Sequence, residues 1–243
     1  MNPYQKLLAR KRTWTPVQVE AGKFKEGSEE AMLRALSLRN LEIPVGDFIQ
    51  GALKKDFPIE AKELLESNIK DEEKHDLALD YIAKAHKLQD IPEANAIQKA
   101  WIEAEEHPVL KAMVLERSVF FVLLPFFRWN GDAGCRTVSA DISRDEQVHV
   151  AANSLVCKEL GVTVTKNLDK LRKATVAWIM QPLGSNPTDP YLDREFWLKQ
   201  SDSLLYSGKA EGLVATRRAR MPAFFEHSNV NLPEYCLLNY FHQ

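Results

Sequence analysis

Apolar residues recur along this chain in a four-three rhythm, the spacing that lines side chains up on one stripe of an α-helix. Ala35, Leu38, Val45, Ile49 and Ala52 form one stripe, and Leu65, Leu79 and Ile82 form a second. Val109, Ala112, Val119, Leu123 and Phe126 make a third, and Ile142, Val156 and Leu160 a fourth. Strand-like alternation of useful length is missing, so the pattern predicts an all-α fold: a four-helix bundle with additional C-terminal helices.

The elements follow from these stripes and from the punctuation between them. Met1 to Gly27 has no sustained period and reads as an irregular arm. Ser28 with Glu29 and Glu30 behind it marks a helix start, and that helix is expected to reach about Lys55, kinked or broken near Pro44. Pro58 opens a second helix that ends near Leu88. A third runs from Glu93 toward Trp129, bent at His107-Pro108 and again near Pro125. Asn130 to Gly134 is a loop, and a fourth helix fills Cys135 to Leu160 with Gly161 as its stop. Beyond it, Asn167 to Met180, Asp193 to Tyr206 and Leu213 to Phe225 are expected to be accessory helices. The tail with Tyr235, Tyr240 and Phe241 is expected to dock on the domain or on a partner.

Each stripe also carries polar residues where apolar ones belong. Glu42 interrupts the first, Asn68, Glu72 and His75 the second, Glu116 the third, and Glu146, His149 and Asn153 the fourth. Two of these groups belong to a repeated string, Asp-Glu-x-x-His, at Asp71 to His75 and Asp145 to His149. Each copy has a glutamate 30 residues upstream, and one offset of 74 residues relates Glu42 to Glu116, Asp71 to Asp145, Glu72 to Glu146 and His75 to His149. A Glu and a His three apart share a helix face. Two such helices, with one Glu from each of two others, supply four carboxylates and two imidazoles, the set that holds two metal ions inside a four-helix bundle. A single string such as Asp-Glu-Glu-Lys-His would read as a solvated face. Its place inside an apolar stripe changes that reading, because unpaired ionisable groups in a core cost several kcal/mol each and a pair of cations removes the cost.

Candidate ligands are therefore Glu42, Glu72, His75, Glu116, Glu146 and His149. Asp71 and Asp145 are candidates for a supporting role, each accepting the outward N–H of a ligand histidine, that of the opposite half-site. One imidazole per ion among carboxylates suits iron or manganese better than copper or zinc; Fe/Fe is the first assignment, with Mn/Fe and Mn/Mn open. Two adjacent metals can deliver two electrons to O2 together, and the apolar run from Val119 to Phe127 would keep water out. Trp14, Trp101, Trp129, Trp178 and Tyr81 are redox-active but read as core packing. His86 reads as a core or rim histidine, His107 as a turn residue, and Glu73, Glu103, Glu105 and Glu106 as solvated.

Composition narrows the class. With 243 residues, 45% of them apolar, the chain is long enough for one sizeable core, and no Gly, Ser or Pro-rich linker divides it. A single domain is expected, with an arm (1–27), a metal-binding core (28–161) and accessory helices with a tail (162–243). A net charge of −2 gives no reason to expect nucleic acid or an anionic membrane as a partner. Three cysteines without Cys-x-x-Cys spacing point to a reducing compartment, the cytoplasm by default. Met1 to Thr15 lacks the apolar core of a signal peptide, and Ser118 to Phe127 is about half the length that a bilayer requires.

The residues resemble a known superfamily. Glu42, Glu72-x-x-His75, Glu116 and Glu146-x-x-His149 look like the ligand set of the ferritin-like di-metal carboxylate proteins, and Ile142 to His149 is similar to the second metal motif of ribonucleotide reductase small subunits. The likeness covers about Ser28 to Gly161. It implies a ferritin-like bundle and gives Asp145 a place between a ligand histidine and an electron path. The radical-bearing tyrosine usual one turn after the first histidine is Leu79 here, and the chain is short for such a subunit. The expectation is thus an O2-activating oxidase or oxygenase of a small organic substrate, served by an electron donor, with a homodimer allowed. A radical-generating small subunit is the alternative, and a ferritin-like iron-storage protein is the alternative from another class.

Overall fold

The computed structural model describes residues 1–55 and 57–208, and every regular element among them is helical. Residues 209–243, where the expected helix from Leu213, the aromatic tail and Cys236 fall, lie outside the described residues. In chain order the helices are α1 (Pro3–Leu8), α2 (Glu29–Ser37), α3 (Glu42–Leu53), α4 (Lys62–Ala85), α5 (Pro92–Glu103), α6 (Pro108–Leu115), α7 (Phe121–Asn130), α8 (Ala133–Leu160), α9 (Lys166–Met180) and α10 (Arg194–Ser207). No described helix is long and apolar enough to cross a membrane.

Three sequence expectations are corrected. The arm is not irregular throughout, because Asn2 and Gln5 form a reciprocal capping box with Pro3 behind it, and this starts α1. The helix expected from Ser28 to Lys55 is two helices, with a tighter 3-10 turn at Leu38–Leu41 between them. Pro44 explains the position of the break: it has no N–H to donate to the carbonyl of Asn40, and its ring would clash there, so the disruption falls one turn before the proline. The third stretch is likewise α5, α6 and α7. It breaks between Glu103 and Pro108, as expected at His107-Pro108, but its second irregularity is a π turn at Glu116–Phe120 rather than a bend at Pro125, which sits inside α7. Within the π turn, Ser118 Oγ donates to the Val114 carbonyl at 2.6 Å, and the Ser118 carbonyl accepts from Ser201 Oγ of α10 at 2.6 Å. Side chains therefore satisfy carbonyls at the disrupted ladder.

Other boundaries follow local chemistry. Asp132 caps α8 by accepting from the Cys135 amide at 2.8 Å, and Gly161 closes that helix in the left-handed region, φ +67°. Asp193 caps α10 in the same way.

Four helical lengths enclose the core: α3, α4, the α6–π–α7 run, and α8. Helix α3 packs on α4 and α6, α4 packs on α8, and both α6 and α7 pack on α8. Leu41, Val45, Ile49, Leu65, Ile82, Val119, Phe126, Ile142 and Val156 are buried between them, each contributing about 2 kcal/mol of apolar transfer. Helices α9 and α10 cover the π turn, and α1 lies across α4 and α8.

Candidate metal centre

All six candidate ligands lie within this core, 0–2% exposed, and their side chains converge. His75 Nδ1 lies 3.2 Å from Glu146 Oε1, 3.4 Å from Glu72 Oε2 and 3.8 Å from Glu42 Oε2. His149 Nδ1 lies 2.9 Å from Glu72 Oε1, 3.7 Å from Glu146 Oε1 and 3.8 Å from Glu116 Oε1. The two imidazoles stack at 5.5 Å between centroids. Glu72 and Glu146 thus stand between the histidines, while Glu42 and Glu116 each flank one of them. Glu42 opens α3 and Glu116 opens the π turn, so both flanking carboxylates sit at helix discontinuities. A π turn re-aims a side chain within a helix and is frequent at functional sites.

The outward edges of both imidazoles are held by the other half-site. His75 Nε2 meets Asp145 Oδ2 at 3.3 Å, and His149 Nε2 meets Asp71 Oδ2 at 3.0 Å. If each Nε2 carries the proton, each Nδ1 keeps its lone pair for the interior. The arm completes both contacts. Trp14 Nε1 donates to Asp145 Oδ2 at 2.6 Å, and Lys11 donates to Asp71 as well as to Asn68 Oδ1 at 2.9 Å. Lys74 pairs with Asp71 at 2.6 Å and lies 5.2 Å over the Trp14 ring. Trp14 packs half-buried against the core, as expected, and in addition is hydrogen-bonded to the carboxylate that orients His75.

The two halves are not identical. One turn after His149, Asn153 Nδ2 donates to Glu116 Oε2 at 2.7 Å, leaving Oε1 inward. The matching residue after His75 is Leu79, which is buried and cannot donate.

Electrostatics without ions shows how crowded the centre is. Burial pushes Glu42 well above the usual carboxylate range, and the charges of Glu72 and Glu146 add to it. Burial, with Glu146 next, raises Glu116 in the same way, and burial also raises Glu146. Burial would raise Glu72 as well, but its close contacts with His149 and His75 hold it down to about 2. Both histidines are shifted up against the desolvation that opposes their charge: His149 to about 10 by Glu72, Glu146 and Asp71, and His75 by Asp145, Glu146, Glu42 and Glu72.

The atoms that face inward have no hydrogen-bond partner. Glu42 Oε2, both oxygens of Glu72 and of Glu146, Glu116 Oε1 and the two Nδ1 atoms are buried and unsatisfied, although they lie at ion-pair distances from one another. Buried polar atoms are normally hydrogen-bonded, and orphaning one costs about 1–3 kcal/mol. Eight such atoms at one point, six of them carboxylate oxygens, make a donor set that fits cations. The cluster of Glu72, His75, Glu146 and His149 can hold a metal ion.

No family model, curated protein or solved structure matches the chain. The assignment therefore rests on the geometry of the site.

Sequence reasoning named Trp14 as redox-active but missed its place at Asp145, and it missed Lys11 altogether; their partners lie 131 and 60 residues away. Only their position among charged residues of the arm, which has no helical period of its own, could have drawn attention to them. The remaining aromatics are elsewhere: Trp101 donates to Thr175 Oγ1 at 3.0 Å, Trp129 stacks on Tyr191, and Trp178 lies against Arg34.

Proposed function

We propose that this chain is an O2-activating di-metal carboxylate oxidoreductase of ferritin-like type, acting on a small organic substrate with electrons from a separate donor. Glu42, Glu72, His75, Glu116, Glu146 and His149 are its ligands. An iron pair is the first assignment, with Mn/Fe and Mn/Mn as alternatives. The observation that carries this reading is the convergence of eight unsatisfied carboxylate and imidazole atoms in a buried core.

When bound, the ion pair would supply two-electron reduction of O2. The chain's own residues do the rest. Four glutamates provide the negative charge that balances two divalent ions, with Glu72 and Glu146 positioned to reach both. Asp71 and Asp145 fix the histidine tautomers. Val45, Ile49, Leu79, Val119 and Leu123 are buried in the surrounding stripes and exclude water from the reacting centre.

A second reading, a radical-generating small subunit, is favoured by one observation. Leu79 offers nothing to oxidise, but Trp14 does, and its N–H already points at Asp145, which can take up the indole proton as an electron leaves. Both readings share one experiment: metal analysis and optical spectra of anaerobically reconstituted protein before and after O2, in wild type and Glu146→Ala. Two ions per chain falling to one or none in the variant, with an absorbing species forming only in wild type, supports the proposal. More than two irons per chain would favour storage, and no bound metal in wild type refutes all three readings.

A further inference from the structure

Helices α4 and α8 bring together a second group of donors well away from the first. His86 lies eleven residues beyond His75, and Cys135 lies eleven before Glu146. Equal steps along antiparallel helices keep facing residues at one level, here about 16 Å from the carboxylate centre. His86 caps the C-terminus of α4, Asp132 caps the N-terminus of α8, and Cys135 lies in the first turn of α8. Their ligand atoms lie within 4.8 Å of one another. Asp132 and Cys135 are buried, and the His86 side chain is 10% exposed.

We propose that His86, Asp132 and Cys135 bind one borderline-soft divalent ion of the zinc class, through an imidazole nitrogen, a carboxylate oxygen and a thiolate. A mixed N, O and S set suits zinc, whereas the larger centre contains no sulfur. A thiolate and a carboxylate cancel the charge of a dication, so the loaded cluster is neutral in its buried setting. Without an ion the donors hold one another in place, and an ion would replace the His86–Asp132 hydrogen bond. His86 Nε2 lies 2.7 Å from Asp132 Oδ2, the same oxygen accepts from the Gly22 amide at 2.8 Å, and Oδ1 accepts from the Cys135 amide at 2.8 Å. The Phe24 ring stacks on His86 at 4.1 Å and fixes its plane.

Gly131 packs tightly against Cys135 and fixes where its side chain lies. A Cβ there would fall 3.0 Å from Cys135 Sγ and 2.3 Å from its Cβ. Without an ion, burial and the Asp132 carboxylate keep the thiol protonated at neutral pH. Ion binding then releases the thiol proton to solvent. Three protein ligands leave a fourth position for water at the exposed edge of His86.

Cobalt(II) titration of the metal-free full-length protein tests the site. Thiolate-to-cobalt charge transfer absorbs in the near ultraviolet, and the carboxylate centre has no sulfur to produce it. The band is expected in wild type, in Glu146→Ala, in Cys157→Ser and in Cys236→Ser, and it is expected to vanish in Cys135→Ser. His86→Gln, a change at a partly exposed position, should keep the fold and weaken cobalt binding at this cluster by roughly a hundredfold. A wild-type titration without the band, a band that persists in Cys135→Ser, or unchanged affinity in His86→Gln overturns the proposal. Loss of metal from the carboxylate centre alone, in Glu146→Ala, leaves the band in place and so separates the two sites.

Discussion

Loading the carboxylate centre with two divalent ions at pH 7 is expected to release protons, at least the one that His149 holds. Without metal the pKa of His149 is pushed up to about 10, so it holds a proton there, and His75, Glu42 and Glu116 are shifted in the same upward direction. Glu72, held down to about 2, contributes none, and Glu146 is also raised by burial. Each released proton makes binding tenfold tighter per pH unit, about 1.4 kcal/mol. The proton on His149 alone thus changes the combined affinity for two ions by about 1.4 kcal/mol per pH unit. Calorimetric titration with Mn(II) in buffers of different ionisation enthalpy reads the proton number from the slope of heat against that enthalpy. A release near zero would refute the reasoning, since it would mean that the centre already stands deprotonated and that its charges are balanced in some other way.

The same groups set the sign of stability against pH in metal-free protein. A histidine raised from 6.5 to about 10 stabilises the fold fully below 6.5, and that contribution is lost as pH rises toward 10. Raised glutamates act in the same sense, because the folded chain retains protons that the unfolded chain gives up above 4.5. Metal-free protein should therefore lose about 1.4 kcal/mol per pH unit for each excess proton, while metal-loaded protein should not follow that decline. Denaturant melts across pH 6.5 to 10 with and without chelator check this.

Further outcomes are expected from single changes. Trp14→Phe removes the hydrogen bond to Asp145 but no ligand, so it should keep two metals per chain and slow re-reduction of the air-oxidised centre roughly tenfold; stopped-flow spectra and metal analysis decide. Gly161→Ala forces a side chain into the left-handed region with nothing within 4 Å, so it should cost about 1 kcal/mol and lower Tm by about 3 °C. Gly131→Ala, whose Cβ would fall 2.4 Å from the Phe127 carbonyl oxygen, should cost more, about 3 kcal/mol. Equal Tm values for these two variants would contradict the packing described.

The convergence of the six ligands was legible in sequence because each side chain interrupts an apolar stripe, and because two copies share an offset of 74 residues. Helical periodicity is a local property, and it located α4, α8, α9 and α10 within a few residues. The π turn was not legible. Glu116–Phe120 carries no local mark of it, and contacts with α8, α9 and α10 stabilise the altered hydrogen-bond pattern. The break around Leu38–Leu41 was placed one turn late because proline acts on the carbonyl four residues earlier. His86, Asp132 and Cys135 share no regular spacing, and only the antiparallel packing of α4 on α8 brings them together.

The segment that precedes the helices of the core is structurally part of the proposed metal centre. A fragment starting at Ser28 would retain every proposed ligand and every long helix, yet Asp71 and Asp145 would exchange an ammonium and an indole for bulk water. Such a fragment should still take up metal, but with looser imidazoles and no aromatic stepping-stone between the buried ions and the outside. Competence to bind and competence to move electrons would then separate along the chain at about residue 28.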